Sequence, residues 1–131
     1  MKENKDIESV LHMTHCVFDD ISFRRNGFQN DNETEFKLGA NIKELDEHEY
    51  CVTLLVNGTK TGEYDLDIRL SGYFYVADVE SIEVEKQLIK SNAVAILLPY
   101  MRSQVSILTS QPETRSEMLP IINVYNLVED F

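Results

Sequence analysis

Between residues 10 and 78 apolar and polar positions alternate with a period of two, and from about residue 80 the spacing turns helical. In residues 10–23, Leu11, Met13, Val17, Ile21 and Phe23 share one parity, interrupted by His15 and Asp19. Val10, Cys16 and Phe18 make the other parity partly apolar. A strand apolar on both faces has both covered, one by the core and the other by a second subunit. Residues 35–45 alternate cleanly, with Phe36, Leu38, Ala40 and Ile42 against Glu35, Lys37, Asn41 and Lys43. In residues 50–56, Tyr50, Val52, Leu54 and Val56 oppose Cys51, Thr53 and Leu55. In residues 64–78, Tyr64, Leu66, Ile68, Leu70, Phe74 and Val76 oppose Asp65, Asp67, Arg69, Ser71, Tyr73 and Tyr75. The two tyrosines on this polar face mark either a contact surface or amphipathic side chains lying flat.

The links suit an antiparallel meander. DEHE at 46–49 is a polar turn. NGTKTGE at 57–63 carries Asn57-Gly58, a strong hairpin signal, which predicts the turn there. RRNGFQNDNET at 24–34 is long enough to cross the sheet, and it carries one exposed-looking aromatic, Phe28. Residues 80–90 predict a short amphipathic helix with Ile82, Val84, Leu88 and Ile89 inward. Residues 92–111 predict a second, with Val94, Leu97, Leu98, Met101, Val105 and Leu108 on one stripe.

Pro99 falls inside that second helix. An interior proline costs about 3 kcal/mol, so it either kinks the helix to follow a twisted sheet or sits near a helix start. After Gln111-Pro112 comes a polar loop, then an apolar tail with Ile122, Tyr125 and Val128 at loose helical spacing. Strands followed by helices predict an α+β fold, a single domain over residues 1–131. Its sheet has four antiparallel strands, a meander with a crossover between strands 1 and 2, and helices packed on one face.

Composition narrows the function classes. A hydrophobic fraction of 43% is that of a globular chain. Twelve basic against 23 acidic residues leave a net charge of −11, and Arg24-Arg25 is the one adjacent basic pair. Nucleic acids and anionic membranes require clustered cations, so neither is an expected partner. The acidic surface gives solubility or steers basic partners. The opening MKENKDIESV is polar, and the longest apolar run, residues 93–98, is far short of the roughly 20 residues that span a bilayer. A cytoplasmic protein without membrane insertion is expected. Cys16 and Cys51, each inside a strand pattern, predict free thiols rather than a disulfide.

Candidate chemistry is thin. On a regular strand His12 and Cys16 share a face about 13 Å apart and His15 points away, so the trio cannot enclose a zinc ion. Cys16 beside His15 is the local nucleophile–base candidate, yet the two alternate across the sheet. The five glycines lack the spacing of a phosphate loop. Asp65 and Asp67 share a face about 7 Å apart, either as a carboxylate pair or, with Arg69, as a solvated charged stripe. No constellation supports an enzyme, and no metal or cofactor is expected.

One stretch carries a resemblance. AILLPYMRSQVSILTS, residues 95–110, resembles the helix signature of the SecB export-chaperone family, with its Leu-(Phe/Leu)-Pro-Tyr-x-Arg core at Leu97, Leu98, Pro99, Tyr100 and Arg102. DISF at 20–23 resembles the end of that family's first strand, SGYF at 71–74 its fourth-strand motif, and LPIINV at 119–124 the motif after its long helix. The resemblance implies a dimer of dimers that holds non-native polypeptides in surface grooves without ATP. It also implies delivery of secretory precursors to the SecA motor through an acidic patch. The patch carboxylates correspond to Asp20 and Asp67, while another acidic position is Arg24 here and an apolar one is Asp65. Phe74, Leu98, Tyr100 and Arg102 are the implied candidates for groove or interface.

These departures, and the missing acidic Gln-rich tail of proteobacterial members, resemble divergent SecB-like proteins, some of which protect one antitoxin. General export, dedicated service to one partner, and a non-chaperone adaptor using Tyr73, Tyr75 and the Asp65/Asp67 stripe all stay open. So does dimer against tetramer.

Overall fold

The computed structural model describes residues 10–120. Four strands, β1 (Leu11–Arg25), β2 (Thr34–Asp46), β3 (Glu49–Lys60) and β4 (Tyr64–Val76), form one antiparallel sheet in the order β1-β4-β3-β2. The meander β2-β3-β4 and the crossover from β1 to β2 are as the sequence pattern predicts. The helical layer covers one face. Beneath it lie Tyr50, Val52, Leu54 and Val56 of β3 with Tyr64, Leu66, Ile68, Leu70, Phe74 and Val76 of β4, all buried.

The β3–β4 turn falls within the predicted link 57–63 but not at its Asn57-Gly58 pair. Asn57 and Gly58 stay in the ladder opposite Asp67 and Leu66, and the chain turns at Thr61-Gly62, where Gly62 has φ 78°. A Cβ on Gly58 would lie 3.0 Å from both Leu66 Cγ and Phe36 Cε1. That glycine therefore makes room for packing, and Gly62 supplies the left-handed conformation.

β1 corrects the simple alternation. Thr14 and Asp19 are extra residues, at the register shifts between Met13 and His15 and between Phe18 and Asp20. Each bulge reverses the parity. Met13, Cys16, Phe18 and Phe23 consequently pack on the core, whereas Val17 faces the other side opposite Ser71 and is 45% exposed. His12 and His15 share that open side, and Cys16 lies on the opposite one. The cysteines are free thiols, with Cys51 on the open side.

The two predicted helices are one continuous helical segment. α1 (Ile82–Leu88) passes through a π-helical turn, Ile89–Ala93, into α2 (Val94–Thr109). Ser81 caps the start, its Oγ accepting from the Val84 amide at 3.2 Å. The predicted inward face of residues 80–90 holds for Leu88, which packs on the core, and for the buried Ile89 just beyond α1, but not for the first turn. Ile82 and Val84 are exposed, and the buried side chain of α1 is Glu85. In α2, Val94, Leu97, Met101 and Val105 pack inward as expected. Pro99 lies inside the helix on its exposed side, not at a start, so the carbonyl of exposed Ala95 loses its partner where water replaces it. Gly72 of β4 sits directly under Leu97, and a Cβ there would come within 2.7 Å of Leu97 Cδ2. Residues 121–131, including the predicted helical spacing of the tail, lie outside the described residues. Among the described residues no helix is long and apolar enough to cross a membrane.

Candidate functional site

The sheet has one face under the helix and one face open among the described residues, and the predicted site residues divide between them. Asp20 and Asp67 come together on the open face. Asp20 is in register with Arg69, and Asp67 with the next residue on that face of β1, Ser22. Both aspartates line a depression of about 490 Å³, with Lys37, Asn57 and Arg69 around them and Leu55, 38% exposed, among the apolar lining. Asp67 accepts a hydrogen bond from Asn57 Nδ2 at 2.9 Å, and Asp65 accepts one from Asn26 Nδ2 at 3.4 Å. Arg24 stands opposite Asp65 across the strands. The two departures from the resembled pattern are thus neighbours of opposite charge, a favourable cross-strand arrangement.

Toward the other end of the open face the surface is aromatic. His12 stacks on Tyr75 with ring centroids 4.6 Å apart, and His15 meets Tyr73 edge-on at 6.3 Å. Between the charged and aromatic parts runs a short polar chain. Thr53 Oγ1 and Ser71 Oγ are 3.1 Å apart, and the Ser71 hydroxyl donates to the Asp19 carboxylate in the bulge. The arrangement pairs polar groups with one another. Among the described residues no group of three or more His, Cys, Asp or Glu side chains could hold a metal ion.

On the helical side the four candidates separate. Phe74 is 2% exposed in the core and offers no surface. Its parity places it with Leu70 and Val76, beneath the helix. Leu98 is half-buried against the core, and Arg102, one turn on, is half-buried beside it. Tyr100 is on the outside, 47% exposed. Two residues that the inward stripe did not flag share that outside, Ile96 and Ile107. Their offsets of four and seven residues from Tyr100 were the available signal. The crossover link adds Phe28, 88% exposed. Its loop is pinned: the Asn26 and Gly27 amides donate to the Glu63 carbonyl, and Asn30 and Asn32 side chains donate to the Thr61 carbonyl.

Known proteins supply a frame for this geometry. A SecB-like chaperone of Mycobacterium tuberculosis, solved in complex with a ChAD peptide from the HigA1 antitoxin, superposes with a TM-score of 0.74. The alignment covers 94% of this chain and 98% of that one at 10% identity. This chain has a SecB-like fold. By sequence it is 35% identical over 63 residues to an uncharacterized protein of Methanocaldococcus jannaschii, a match that covers 48% of this chain. The match spans 40% of that relative's length. No family model matches the chain. In the SecB-like frame Asp20 and Asp67 are on the uncovered sheet face, while Leu98, Tyr100 and Arg102 are on the helix.

Proposed function

We propose that this protein is an ATP-independent chaperone that binds non-native polypeptides. The observation that carries the reading is the SecB-like architecture, matched along almost the whole chain to a chaperone solved with an antitoxin peptide. The surface is consistent with it. Phe28, Ile96, Tyr100, Ile107 and Met118 are exposed on a chain of net charge −11. Apolar display with high charge is what a soluble holdase needs, and it needs no catalytic group. The protein works in the cytoplasm as a homo-oligomer, dimer or tetramer. In the general form of the proposal it hands secretory precursors to SecA through Asp20 and Asp67. In the narrower form it serves one client, such as an antitoxin.

A chemically unfolded, slow-folding client diluted into nucleotide-free buffer tests this by light scattering. Dose-dependent suppression of aggregation is expected near equimolar chaperone. A well-folded sample that suppresses nothing, and leaves a neighbouring antitoxin unprotected as well, sinks the proposal. An adaptor role is favoured by one observation, the ordered His12–Tyr75 stack on the open face. Loss of a native partner on Tyr73→Ala, with holding intact, would establish that role instead.

A further inference from the structure

The first helix is attached to the sheet in an unusual way. No apolar side chain of α1 is fully buried: Ile82 and Val84 are 53% and 48% exposed, and Leu88, its last residue, packs half-buried on the core. What α1 buries fully is the Glu85 carboxylate, 2% exposed. An unpaired carboxylate in that position is strongly unfavourable. Two side chains of the β2–β3 hairpin satisfy it. The Tyr50 hydroxyl donates to Oε2 at 2.5 Å, and His48 Nδ1 lies 2.6 Å from Oε1. His48 is held in place by its own backbone. It occupies the tight turn with φ 63°, and its carbonyl accepts from the Val76 amide of β4 at 2.9 Å.

We propose that α1 is a pH-gated latch, held on the sheet while the His48 imidazole is charged and released more readily as pH rises. The groups around the imidazole favour this. Glu47 Oε1 lies 3.3 Å from Nε2, and Asp46 on the same turn accepts from the Glu47 amide. Tyr50 from β3, with the Glu44 carboxylate of β2 acting on it, completes the hairpin side. α1 contributes Glu85 and the adjoining Lys86, and β4 contributes the Val76 amide. The hydrogen bond to Glu85 raises the titration point of His48 above its ordinary 6.5. Burial opposes that rise, and the Glu85 and Glu47 charges reinforce it. A raised histidine stabilises fully below about pH 6.5, and its contribution is lost as pH climbs through the folded titration point. Burial, with Glu85 adding to it, pushes the Tyr50 phenol far above its usual range, so Tyr50 donates throughout. His48 is therefore the group that changes. Releasing α1 would uncover Tyr50 and the adjoining end of the core.

Native-state hydrogen exchange on the full chain tests the latch, from about pH 6 to about pH 9, with intrinsic exchange rates divided out and α2 as the internal reference. The α1 amides are expected to lose protection about fivefold more than those of α2 across this range. His48→Gln keeps an N–H donor without the charge, and it is expected to show uniformly low α1 protection with no pH response. Glu47→Gln removes one acidic neighbour and is expected to move the loosening to lower pH, an independent check should the His48 variant fold poorly. α1 protection that tracks α2 throughout, or a His48→Gln protein that keeps the wild-type response, overturns the proposal.

Discussion

Lys60→Met is expected to lower stability by about 3–5 kcal/mol, the loss typical of stranding one member of a buried ion pair. Lys60 and Glu63 are 1% and 0% exposed, and Lys60 Nζ lies 2.9 Å from Glu63 Oε1. The same oxygen accepts from the Asn30 amide at 3.0 Å. Oε2 has no hydrogen-bond partner and faces Arg25 Nη1 at 3.8 Å. Without the ammonium, that carboxylate keeps one amide and one distant guanidinium. Glu63 also accepts the crossover amides on its backbone, so the damage spreads to the β1–β2 link. Urea unfolding of Lys60→Met, Glu63→Leu and the double variant measures it. The double variant is expected to lose less than either single one, because no charge is left buried.

Acid acts on the same node. Burial pushes the Glu63 carboxyl up, but Lys60, the Asn30 amide and Arg25 outweigh it and hold the group below its ordinary 4.5. Its contribution is present above pH 4.5 and disappears as pH falls through the folded titration point. A Lys60→Met protein as stable as a surface variant would refute this account.

Leu97→Ala is expected to cost about 2–5 kcal/mol. Leu97 is fully buried against Gly72 of the sheet. The reciprocal change, Gly72→Ala, places a methyl 2.7 Å from both Leu97 Cδ2 and Phe74 Cε1 and is expected to cost about 1–3 kcal/mol through overpacking. In the double variant the new methyl occupies part of the space that Leu97 vacates. Thermal or urea unfolding of all four proteins should therefore give a double-variant loss smaller than the sum. Strictly additive losses would mean that the helix does not rest on Gly72.

The sheet was legible in the sequence because β2, β3 and β4 each have one covered face, which writes a period of two directly into Phe36 to Ile42, Tyr50 to Val56 and Tyr64 to Val76. β1 was only half legible. Its bulged residues, Thr14 and Asp19, look like any other polar positions, and counting by twos across them assigns Val17 to the wrong side. The helical segment failed in one place. Ile82 and Val84 were placed inward on apolar character alone, whereas the group that α1 fully buries is Glu85, and its partners His48 and Tyr50 lie 35 or more residues away. Asp20 and Asp67 were brought together because adjacent strands present them on one face. Phe74, a groove or interface candidate by motif position, lies beneath the helix on the apolar face where the period of two placed it, because a motif position says nothing about which face the helix covers.

The two bulges also decide how the outer edge of β1 meets other extended chains. A long, regular edge strand is a template for uncontrolled stacking, and proteins blunt such edges by irregularity. Here fifteen residues of edge are interrupted at Thr14 and again at Asp19, leaving uninterrupted runs of three, four and six residues. A generic aggregating strand finds no long ladder to extend. A strand that does add along the full length must carry matching irregularities, and that requirement sets its register and selects its identity.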